Sequence, residues 1–427
     1  MRKRILFMAI LACTLMLATA AMATNGDNLI GIGPISRAMG GTGIAAPQDA
    51  ISAVFSNPAA MCFGPYCPSS EFNFSGTLFM PKIDAKITTA DGVVKAESED
   101  NVYAIPAIGL SVPISDTPQN WRFGLAAYGV TGLGVDYRDT PIETATYPAP
   151  GNPPVASGEY TELQIMKFAP SLSFQLMPNL SLGLAFHIDY ETLDLGDGGS
   201  TAYSFGFQPG IIYKPIDNLS LGLTYVSPQK ATFDNVADFD QDGRRDDLDL
   251  EAPQQLGFGV AYLFTGIELL LEADTKWINW SNADGYDDFD WDDQWVFAIG
   301  AQWQPIQGLF LRAGYNYAES PVNEHNGWDG SFNMAGMPNS VANVQGKTLP
   351  TYYYETFRTI GFPAVVEHHL TFGVGYQITP TVELNVGYMY GFENDITERG
   401  TDPLGRPVEI ESTLSEQAVD FGFTWRF

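Results

Sequence analysis

The chain ends in the nine residues Val419-Asp420-Phe421-Gly422-Phe423-Thr424-Trp425-Arg426-Phe427, which alternate large apolar side chains with small or polar ones. Successive side chains of a β-strand point to opposite faces, so this segment would be aromatic on one face and polar on the other. Such a strand suits the wall of a transmembrane barrel, whose outer face meets lipid and whose lumen is polar. A strand of a soluble β-sandwich can alternate in the same way, so the rest of the chain has to repeat the pattern.

The same alternation recurs from Ser70 onward. One segment alternates Leu182, Leu184 and Phe186 with Gly183 and Ala185. A period of two predicts an all-β fold, and we count about 14 antiparallel strands. We place them near residues 70–81, 100–113, 120–134, 159–176, 180–194, 202–214, 219–234, 250–263, 266–280, 292–304, 308–319, 366–378, 381–393 and 415–427.

The connections between these segments alternate in length. Short turns such as Met177-Pro178-Asn179 and Thr379-Pro380 separate long loops near 82–99, 235–249 and 394–414. Short periplasmic turns and long outer loops are the pattern of an up-and-down transmembrane barrel. An even strand count also returns Phe427 to the side on which the first strand begins. The sequence therefore predicts one antiparallel barrel.

The first 23 residues have the features of a secretory signal peptide. Arg2-Lys3-Arg4 precede the apolar run Ile5–Ala18, and Ala21-Met22-Ala23 offers a cleavage site before Thr24. A lipoprotein cleavage site before Cys13 is the alternative, and the very short apolar run before it argues against that. No later stretch is apolar and uncharged for long enough to form a transmembrane helix.

The formal net charge is −29, from 50 acidic and 21 basic residues. Nucleic-acid binding needs a basic surface, so this charge excludes a nucleic-acid partner. The tryptophans are predicted to form two interfacial girdles. The periplasmic girdle would contain Trp121, Trp303 and Trp425, and the outer girdle Trp277, Trp280 and Trp291.

Residues 24–69 precede the first strand and do not alternate. They contain Gly31-Ile32-Gly33, Gly40-Gly41-Thr42-Gly43 and Ser56-Asn57-Pro58-Ala59-Ala60-Met61. Together with Thr275-Lys276-Trp277 and Leu311-Arg312-Ala313-Gly314-Tyr315, these motifs resemble the outer-membrane channels for hydrophobic compounds that are typified by the long-chain fatty acid and toluene transporters. The resemblance covers essentially the whole mature chain.

The resemblance implies a transmembrane β-barrel over residues 70–427 in the bacterial outer membrane, plugged by a helical N-terminal hatch over residues 24–69. It implies passive uptake of long-chain fatty acids or hydrocarbons by a ligand-triggered hatch rearrangement and lateral exit, with no required cofactor. Outer-membrane lipid and the barrel assembly machinery, which recognises a C-terminal aromatic such as Phe427, are the implied partners. The acidic mouth loops favour neutral hydrocarbons over fatty acid anions.

The gate is predicted where Asn57-Pro58-Ala59 of the hatch meets Gly129, Gly132 and Gly134 of the third strand. This strand reads Val130-Thr131-Gly132-Leu133 where the family typically has Pro-Phe-Gly-Leu. Glycines permit a bulge, so the strand can part from its neighbour and open a gap. The freed backbone groups need polar partners, and the Asn57 amide can both donate and accept. An ordinary Asx turn is the alternative role of Asn57.

Residues 238–249 match the spacing of a calcium loop. Asp238, Asp240, Asp242, Asp246 and Asp249 stand at positions 1, 3, 5, 9 and 12, Gly243 stands at position 6, and Arg244 offers its carbonyl at position 7. Oxygen ligands at this spacing suit a hard cation. The pattern predicts a structural Ca²⁺ in this outer loop, and a solvated acidic loop is the alternative.

Cys62 and Cys67 are the only cysteines after the signal peptide. The periplasm is oxidising, so we predict a disulfide between them. A zinc site would need further Cys or His ligands nearby, and the sequence offers none.

Period-two counting directs Lys276 and Arg312 into the lumen, where basic groups hold ligand carboxylates well. The alternative is an ion network that keeps the lumen polar. The four histidines, at 187, 325, 368 and 369, show no triad spacing with Ser and Asp, so catalysis is not predicted. An outer-membrane lipase or esterase is one alternative function, and a passive porin or adhesin is another. An open pore would leave residues 24–69 unexplained.

Overall fold

The computed structural model describes residues 24–65, 67–99, 102–114, 121–146, 157–196 and 198–427. Within these ranges, fourteen strands close into one antiparallel barrel, in which the last strand pairs with the first through Arg426 and Glu71. The predicted barrel is confirmed, whereas the predicted signal peptide, residues 1–23, lies outside the described residues. The wall strands are β1 (Glu71–Thr89), β2 (Tyr103–Pro113), β3 (Trp121–Asp136), β4 (Tyr160–Met177), β5 (Leu180–Asp194), β6 (Ser200–Ile216), β7 (Leu219–Val226), β8 (Gln255–Phe264), β9 (Leu269–Ile278), β10 (Gln294–Ile306), β11 (Leu309–Ala318), β12 (His368–Thr379), β13 (Val382–Thr401) and β14 (Pro407–Arg426).

Side chains alternate between the two faces of the wall, as the period of two predicts. In β14, Phe421 and Trp425 are 52% and 45% exposed on the outside, whereas Asp420 and Thr424 are 0% and 2% exposed on the lumen side. An apolar outer band of this kind meets lipid directly, which is why the alternation is so regular in the wall strands.

The tryptophans follow the predicted girdles fully at the periplasmic end, and at the outer end only Trp277 stays partly exposed. Trp121, Trp303 and Trp425 are exposed at the periplasmic strand ends. The prediction is wrong for Trp280 and Trp291, which are buried. The loop after β9 folds into the lumen, so that both rings lie within about 3 Å of the position that a Cβ would take at Gly26.

The residues ahead of β1 lie inside the barrel. They form a hairpin of Thr24–Asn25 and Asn28–Leu29, the helices α1 (Gly33–Ala38) and α2 (Ala50–Ser56), and a 3-10 helix (Pro58–Cys62). Pro34 opens α1, and Asp49 caps α2 by accepting from the Ser52 amide at 2.8 Å. Helix α1 contacts β1 and β11 to β14, whereas the 3-10 helix contacts β3 to β6. Because these contacts lie on opposite sides of the barrel, residues 24–69 fill the lumen, and we call this segment the hatch.

Three predicted loops are largely strands instead. In the loop predicted near 82–99, β1 continues to Thr89 and pairs with Gly92–Glu97. Gln229–Ala237 and Asp246–Ala252 pair with each other as a separate two-stranded sheet, where the seventh strand and the loop 235–249 were predicted. Strands β13 and β14 stay paired as far as Thr401 and Pro407, so the predicted loop 394–414 is a two-stranded extension. Backbone pairing does not depend on lipid, so strands can continue past the membrane.

The other outer loops hold short elements. They are the strands Gly92–Glu97, Asn326–Trp328, Val341–Val344 and Lys347–Pro350, the α-helices Pro141–Thr146 and Thr351–Thr356, the 3-10 helix Trp280–Asn282 and the π-helix Phe357–Gly361. No helix in the described part of the chain is long and apolar enough to cross a membrane. A continuous apolar core, which includes Tyr128, Trp280 and Phe357, lies between the hatch and these loops.

Candidate transport path

Two buried carboxylates of β9 hold the hatch backbone in place. Glu272 Oε1 accepts from the amides of Ala45 and Ala46 at 2.8 and 2.9 Å, and Asp274 Oδ2 accepts from those of Gly43 and Ile44 at 2.9 and 3.0 Å. Charge-assisted hydrogen bonds of this kind are stronger than neutral ones. Period-two counting predicts that both side chains face inward. It does not reveal that their partners are backbone amides rather than cations.

An ion pair fixes the opposite side of the hatch. Arg37 Nη1 lies 2.6 Å from Asp420 Oδ1 of β14, and both side chains are buried. Arg37 also donates to the Gly31 carbonyl through Nε and Nη2. The hatch is therefore tied to two distant parts of the wall, and its middle cannot slide as a rigid plug without breaking several charged contacts.

Asn57 does not meet the third strand, and this part of the gate prediction is wrong. Its Nδ2 donates to the carbonyls of Ile44, Ile211 and Leu223 at 2.9, 3.2 and 3.3 Å, so it joins the hatch to β6 and β7. Its Oδ1 accepts from the Ala59 amide at 3.1 Å, as in the Asx-turn alternative. The cause is local, because glycines at the inward positions of β5 and β6 let the hatch approach there. A Cβ at Gly183 would lie 2.1 Å from the Ala59 nitrogen and 2.4 Å from the Pro58 carbonyl carbon.

The backbone pairing of β2 with β3 is interrupted, and we call this interruption the gap. The pairing runs from Pro113 and Arg122 to Ala107 and Tyr128 and then stops, which leaves Tyr103–Pro106 and Gly129–Gly134 without a partner across the two strands. The gap ends at its outer side, where the Glu99 amide donates to the Asp136 carbonyl at 2.8 Å. Four residues of strand correspond to about 13 Å along the wall.

The predicted irregularity of β3 begins at Gly129. The register with β4 shifts between Gly129 and Thr131, so Val130 is the extra residue of a bulge. Ile105 of β2 fills the space beside it, with Cγ2 2.6 Å from the Cβ position at Gly129. Gly132 pairs with Gln164, and a Cβ there would meet open space. Gly134 packs against the Thr161 carbonyl of β4 instead.

The N-terminal hairpin, and not Asn57, meets the gap strand. Asn28 pairs with Thr131 just beyond the bulge. At the hairpin turn, Gly26 has φ +64°, which favours glycine, and Tyr286 Oη donates to the Asp27 carboxylate. Asp27 is buried, and burial raises its pKa from 3.8 to about 7. Sequence reasoning missed this element, although the Asn25-Gly26 dipeptide is a hairpin signal that could have found it.

Two cavities flank this hairpin. The apolar cavity, of about 40 Å³, lies among Leu163, Leu193, Leu195, Leu248, Leu250, Tyr286, Phe289, Trp291, Phe357 and Phe362, with Asp27 at its edge. The polar cavity, of about 70 Å³, is bordered by Tyr128, Val130, Thr131, Asn28, Lys167, His187 and Lys276 and therefore adjoins the gap. An engineered protein cavity that holds benzene measures about 150 Å³. A hydrocarbon thus needs a rearrangement before either cavity can hold it.

The two predicted ligand contacts lie in different places. Lys276 borders the polar cavity. Arg312 lies toward the periplasmic end, where it donates to Gln302 at 2.6 Å and Asn385 at 2.7 Å and lies 3.5 Å from Glu383. Arg312 therefore belongs to the ion-network alternative, and its predicted contact with a ligand is not supported.

The calcium-loop residues are only partly brought together. Ligand oxygens of Asp238, Asp240 and Asp246 lie within 4.8 Å of one another. Asp249 is drawn away to Lys230 at 2.6 Å, because it belongs to the strand that pairs outside the wall. Asp242 accepts from the Arg244 amide at 2.8 Å and is not one of the three clustered carboxylates. Lys347 Nζ lies 2.5 Å from Asp246 and 3.5 Å from Asp240, so an ammonium lies beside these carboxylates.

Calcium binding therefore stays a prediction, now limited to Asp238, Asp240 and Asp246. Three clustered carboxylates repel one another, and Lys347 offsets only part of that repulsion, which a bound Ca²⁺ would relieve further. A calcium-dependent gain in protease resistance that an Asp238→Asn substitution abolishes would support the site. Unchanged protease resistance of the wild type at millimolar calcium would contradict the site.

The two cysteines are thiols, so the predicted disulfide is not present. The Cys67 thiol donates to the Met61 carbonyl at 3.1 Å, and Ser173 Oγ lies 3.1 Å from the Cys62 sulfur. Burial raises the pKa of the Cys67 thiol to about 11, which disfavours the thiolate that oxidation requires.

The histidines have separate environments. His187 lies near Lys167 and Gln229 in the polar cavity. His325 contacts Asp290 at 2.8 Å and Glu355 at 3.0 Å in the outer loops. His368 lies 2.7 Å from the Tyr315 hydroxyl on the outer face, and His369 is buried in the lumen.

Comparison with known proteins agrees with this architecture. The chain matches the model of the family described as "Outer membrane protein transport protein (OMPP1/FadL/TodX)" over residues 10–202 and 197–327. No curated protein matches the sequence.

Similar solved structures share the fold. They include a Pseudomonas aeruginosa FadL homologue (16% identity, 95% of this chain and 99% of that chain covered, TM-score 0.65) and the P. putida toluene transporter TodX (20%, 94% and 99%, 0.62). The Ralstonia pickettii toluene transporter TbuX is another (17%, 94% and 99%, 0.58). At these sequence identities, the similarity supports the closed fourteen-stranded barrel fold but does not indicate a substrate.

Proposed function

The chain belongs to the family of outer-membrane transport proteins described as OMPP1/FadL/TodX, and on that premise we propose that it passes small hydrophobic compounds, long-chain fatty acids or hydrocarbons, through the outer membrane. Passage is passive, since the compounds move down their own gradient, and it requires no cofactor. Outer-membrane lipid surrounds the barrel, and the barrel assembly machinery inserts it.

The gap between β2 and β3 is the observation that carries the proposal. A hydrophobic compound that leaves the lumen through the wall enters the apolar interior of the membrane and avoids the aqueous periplasm. Unpaired backbone groups at the gap would be costly in lipid, and two features reduce that cost. Pro106 on the β2 edge has no N–H, and Asn28 pairs with Thr131 on the β3 edge.

The N-terminal hairpin supplies the trigger. Its turn borders the apolar cavity through Asp27, and its second strand covers the gap through Asn28. A ligand that enlarges the apolar cavity has to displace the Asp27–Tyr286 contact, and the same displacement frees Thr131. The rest of the hatch need not move, because Asp420 holds α1 to the wall through Arg37, and Glu272 and Asp274 hold the segment between α1 and α2.

The buried hatch favours this gated channel over the alternative of a passive porin. Asn25, Ile35, Ala53 and Asn57 are all buried within the barrel. A porin that admits polar solutes needs an aqueous lumen. The esterase alternative gains no support, because an esterase needs a serine hydroxyl paired with a histidine. The side chains that contact His187 and His325 are those of Lys, Gln, Asp, Glu and Arg.

Uptake by a deletion strain tests the proposal. Cells with and without the full-length protein are given labelled dodecanoate, dodecane, toluene and a polar sugar. Deletion should slow the uptake of at least one hydrophobic compound, complementation should restore it, and sugar uptake should not change. Equal loss for the sugar would identify a porin, and unchanged uptake of all four would overturn the proposal.

A further inference from the structure

The start of the N-terminal hairpin is attached to the last wall strand. Thr24 Oγ1 donates to Glu416 Oε1 of β14 at 3.2 Å, and the backbone N–H of Thr24 also donates to this carboxylate. Both residues are buried, with 3% and 2% of their surface exposed. Thr24 directly follows the predicted cleavage site Ala21-Met22-Ala23. The nitrogen that contacts Glu416 is therefore the one that cleavage would convert into the free N-terminus.

The Glu416 carboxylate is only partly satisfied by these contacts. Its second oxygen, Oε2, is buried and has no hydrogen-bond partner among the described residues, where the polar contacts of the carboxylate are those from Thr24. A protonated carboxyl group would carry an O–H that needs an acceptor of its own. A buried, ionised carboxylate is costly unless a cation pairs with it. A cationic donor beside Thr24 would satisfy the ionised form.

The described neighbours of Glu416 do not supply that cation. Glu416 and His369 of β12 both lie opposite Gly391 of β13, which has no side chain between them. Both ring nitrogens of His369 are without a hydrogen-bond partner among the described residues, so this imidazole is not bonded to Glu416. Ala418, two residues further along β14, packs with Ile30 of the hatch in an apolar cluster. The surroundings are thus buried and largely apolar, which strengthens any ion pair formed there.

We propose that Glu416 is the binding site for the chain's own α-ammonium group, which removal of residues 1–23 creates on Thr24. Before cleavage the Thr24 nitrogen is a neutral amide with a single N–H. After cleavage it carries a positive charge and three N–H donors, beside a carboxylate that it already contacts. Charge-assisted hydrogen bonds of this kind are roughly twice as strong as neutral ones. The inference goes beyond the proposed function and does not depend on which compound the channel passes.

This ion pair acts as a maturation latch on the hairpin. The latch holds Thr24 to β14, while Tyr286 holds Asp27 at the turn and Thr131 of β3 pairs with Asn28. The hairpin is then fixed at both ends, and the end at Thr24 is complete only in a processed chain. A chain cut one residue away would carry its ammonium about 3.5 Å from this position, too far to pair with Glu416 in the same geometry.

The reactivity of the α-amine measures the latch. The folded, processed protein in detergent is treated with formaldehyde and cyanoborohydride, which methylate accessible, uncharged amines, and its N-terminal peptide is followed by mass spectrometry. The wild-type peptide should begin at Thr24, and its amine should react at least tenfold more slowly than in the unfolded protein, because reaction requires the hairpin to open. Glu416→Gln keeps the shape of the side chain but removes its charge, and should raise the rate at least tenfold, equivalent to about 1.4 kcal/mol. Glu411→Gln, which removes the partner of Lys86 on the same strand, is the matched control and should react like the wild type.

A one-residue extension tests the position of the charge without altering any native side chain. A glycine inserted between Ala23 and Thr24 returns the Thr24 nitrogen to a neutral amide and moves the ammonium away. The α-amine of this variant should react as fast as that of Glu416→Gln, and combining the two changes should add little further. Because the variant retains Glu416, it tests the latch even if Glu416→Gln does not assemble.

Four results would overturn the latch. They are a mature chain that begins at a residue other than Thr24, a wild-type amine that reacts as fast as in the unfolded protein, equal rates for Glu416→Gln and Glu411→Gln, and equal protection of the wild type and the glycine insertion. None of these measurements involves uptake, so each would leave the proposed function intact.

Discussion

Asp27 couples the outer loops to the hairpin that covers the gap. Its carboxylate accepts from Tyr286 Oη, and its neighbour Asn28 pairs with Thr131 of β3. Burial raises its pKa from 3.8 to about 7, because a buried carboxylate loses the solvation that favours its charged form. Between pH 4 and pH 7 the docked hairpin holds a proton that the undocked hairpin has lost. Docking is therefore strongest below pH 4, weakens as the pH rises to 7, and is constant above it.

The pH dependence predicts a change in hairpin mobility. The pKa difference corresponds to a docking free energy that falls by on the order of 4 kcal/mol between pH 4 and pH 7. A nitroxide label on a cysteine at position 24 should become more mobile over this range, and Asp27→Asn should abolish the change. Both proteins carry Glu416→Gln, because Thr24 donates to Glu416 at 3.2 Å. The same pH response in both proteins would show that Asp27 does not control docking.

At the scale of single residues, the sequence predicts which face of the wall a side chain lies on better than it predicts which groups that side chain contacts. Alternation places Lys276, Arg312, Glu272 and Asp274 on the lumen side, and the structure agrees for Glu272, Asp274 and Arg312, which are buried there. Their partners depend on how the hatch folds, and a strand pattern carries no information on that. The predicted disulfide fails for the same reason, since the spacing of Cys62 and Cys67 does not reveal that Cys67 bonds the Met61 carbonyl and that Ser173 contacts Cys62.

Among the elements, the 3-10 helix Pro58–Cys62 approaches the wall closely. Inward glycines of β5 and β6 make room for it, and Asn57 at its start bonds three carbonyls. Those glycines are visible in the alternating pattern, where an inward position without a side chain indicates that other backbone approaches closely. Read in that way, Gly183 and Gly210 could have placed Asn57 correctly. The extended hairpins could not have been told from loops by composition.

Replacing Asn57 should loosen the hatch without preventing barrel assembly. Asn57→Ala leaves the carbonyls of Ile44, Ile211 and Leu223 without their donor, which costs about 1–3 kcal/mol. We expect brief ion-conducting openings in planar bilayers and faster proteolysis within residues 24–63, with an unchanged β-sheet spectrum. Asn57→Asp keeps the acceptor for Ala59 but removes the donor. Asn57→Asp should behave like Asn57→Ala if the Nδ2 donor anchors the hatch. It should behave like the wild type if only the Oδ1 acceptor for the Ala59 amide is needed. A closed, protease-resistant Asn57→Ala protein would refute the anchoring role.

The whole molecule is a barrel whose lumen is filled and whose wall is incomplete. The hatch is anchored to β9 and to β14, while the hairpin at its start is held by the outer loops and by β3. The axial route therefore requires the loss of several charged contacts. The lateral route requires only that the hairpin moves and that the gap widens. The sequence predicts the closed barrel, because each of the fourteen strands and each turn has a local sequence pattern. It does not predict the gap, because the place where β2 and β3 stop pairing is not a local pattern of either strand.

A disulfide across the gap tests lateral exit most directly. The Cβ of Ile105 lies 3.9 Å from the Cβ position at Gly129, close to the mean of about 3.8 Å for a disulfide. Ile105→Cys with Gly129→Cys is made in a protein whose Cys62 and Cys67 are replaced by serine. Val374→Cys with Val386→Cys, a register pair of β12 and β13, is the control on another part of the wall. The measurement is uptake of a hydrophobic compound before and after reduction. Lateral exit predicts that the oxidised gap disulfide stops uptake, that reduction restores it, and that the control transports in both states. Undiminished uptake through the oxidised gap disulfide would contradict lateral exit.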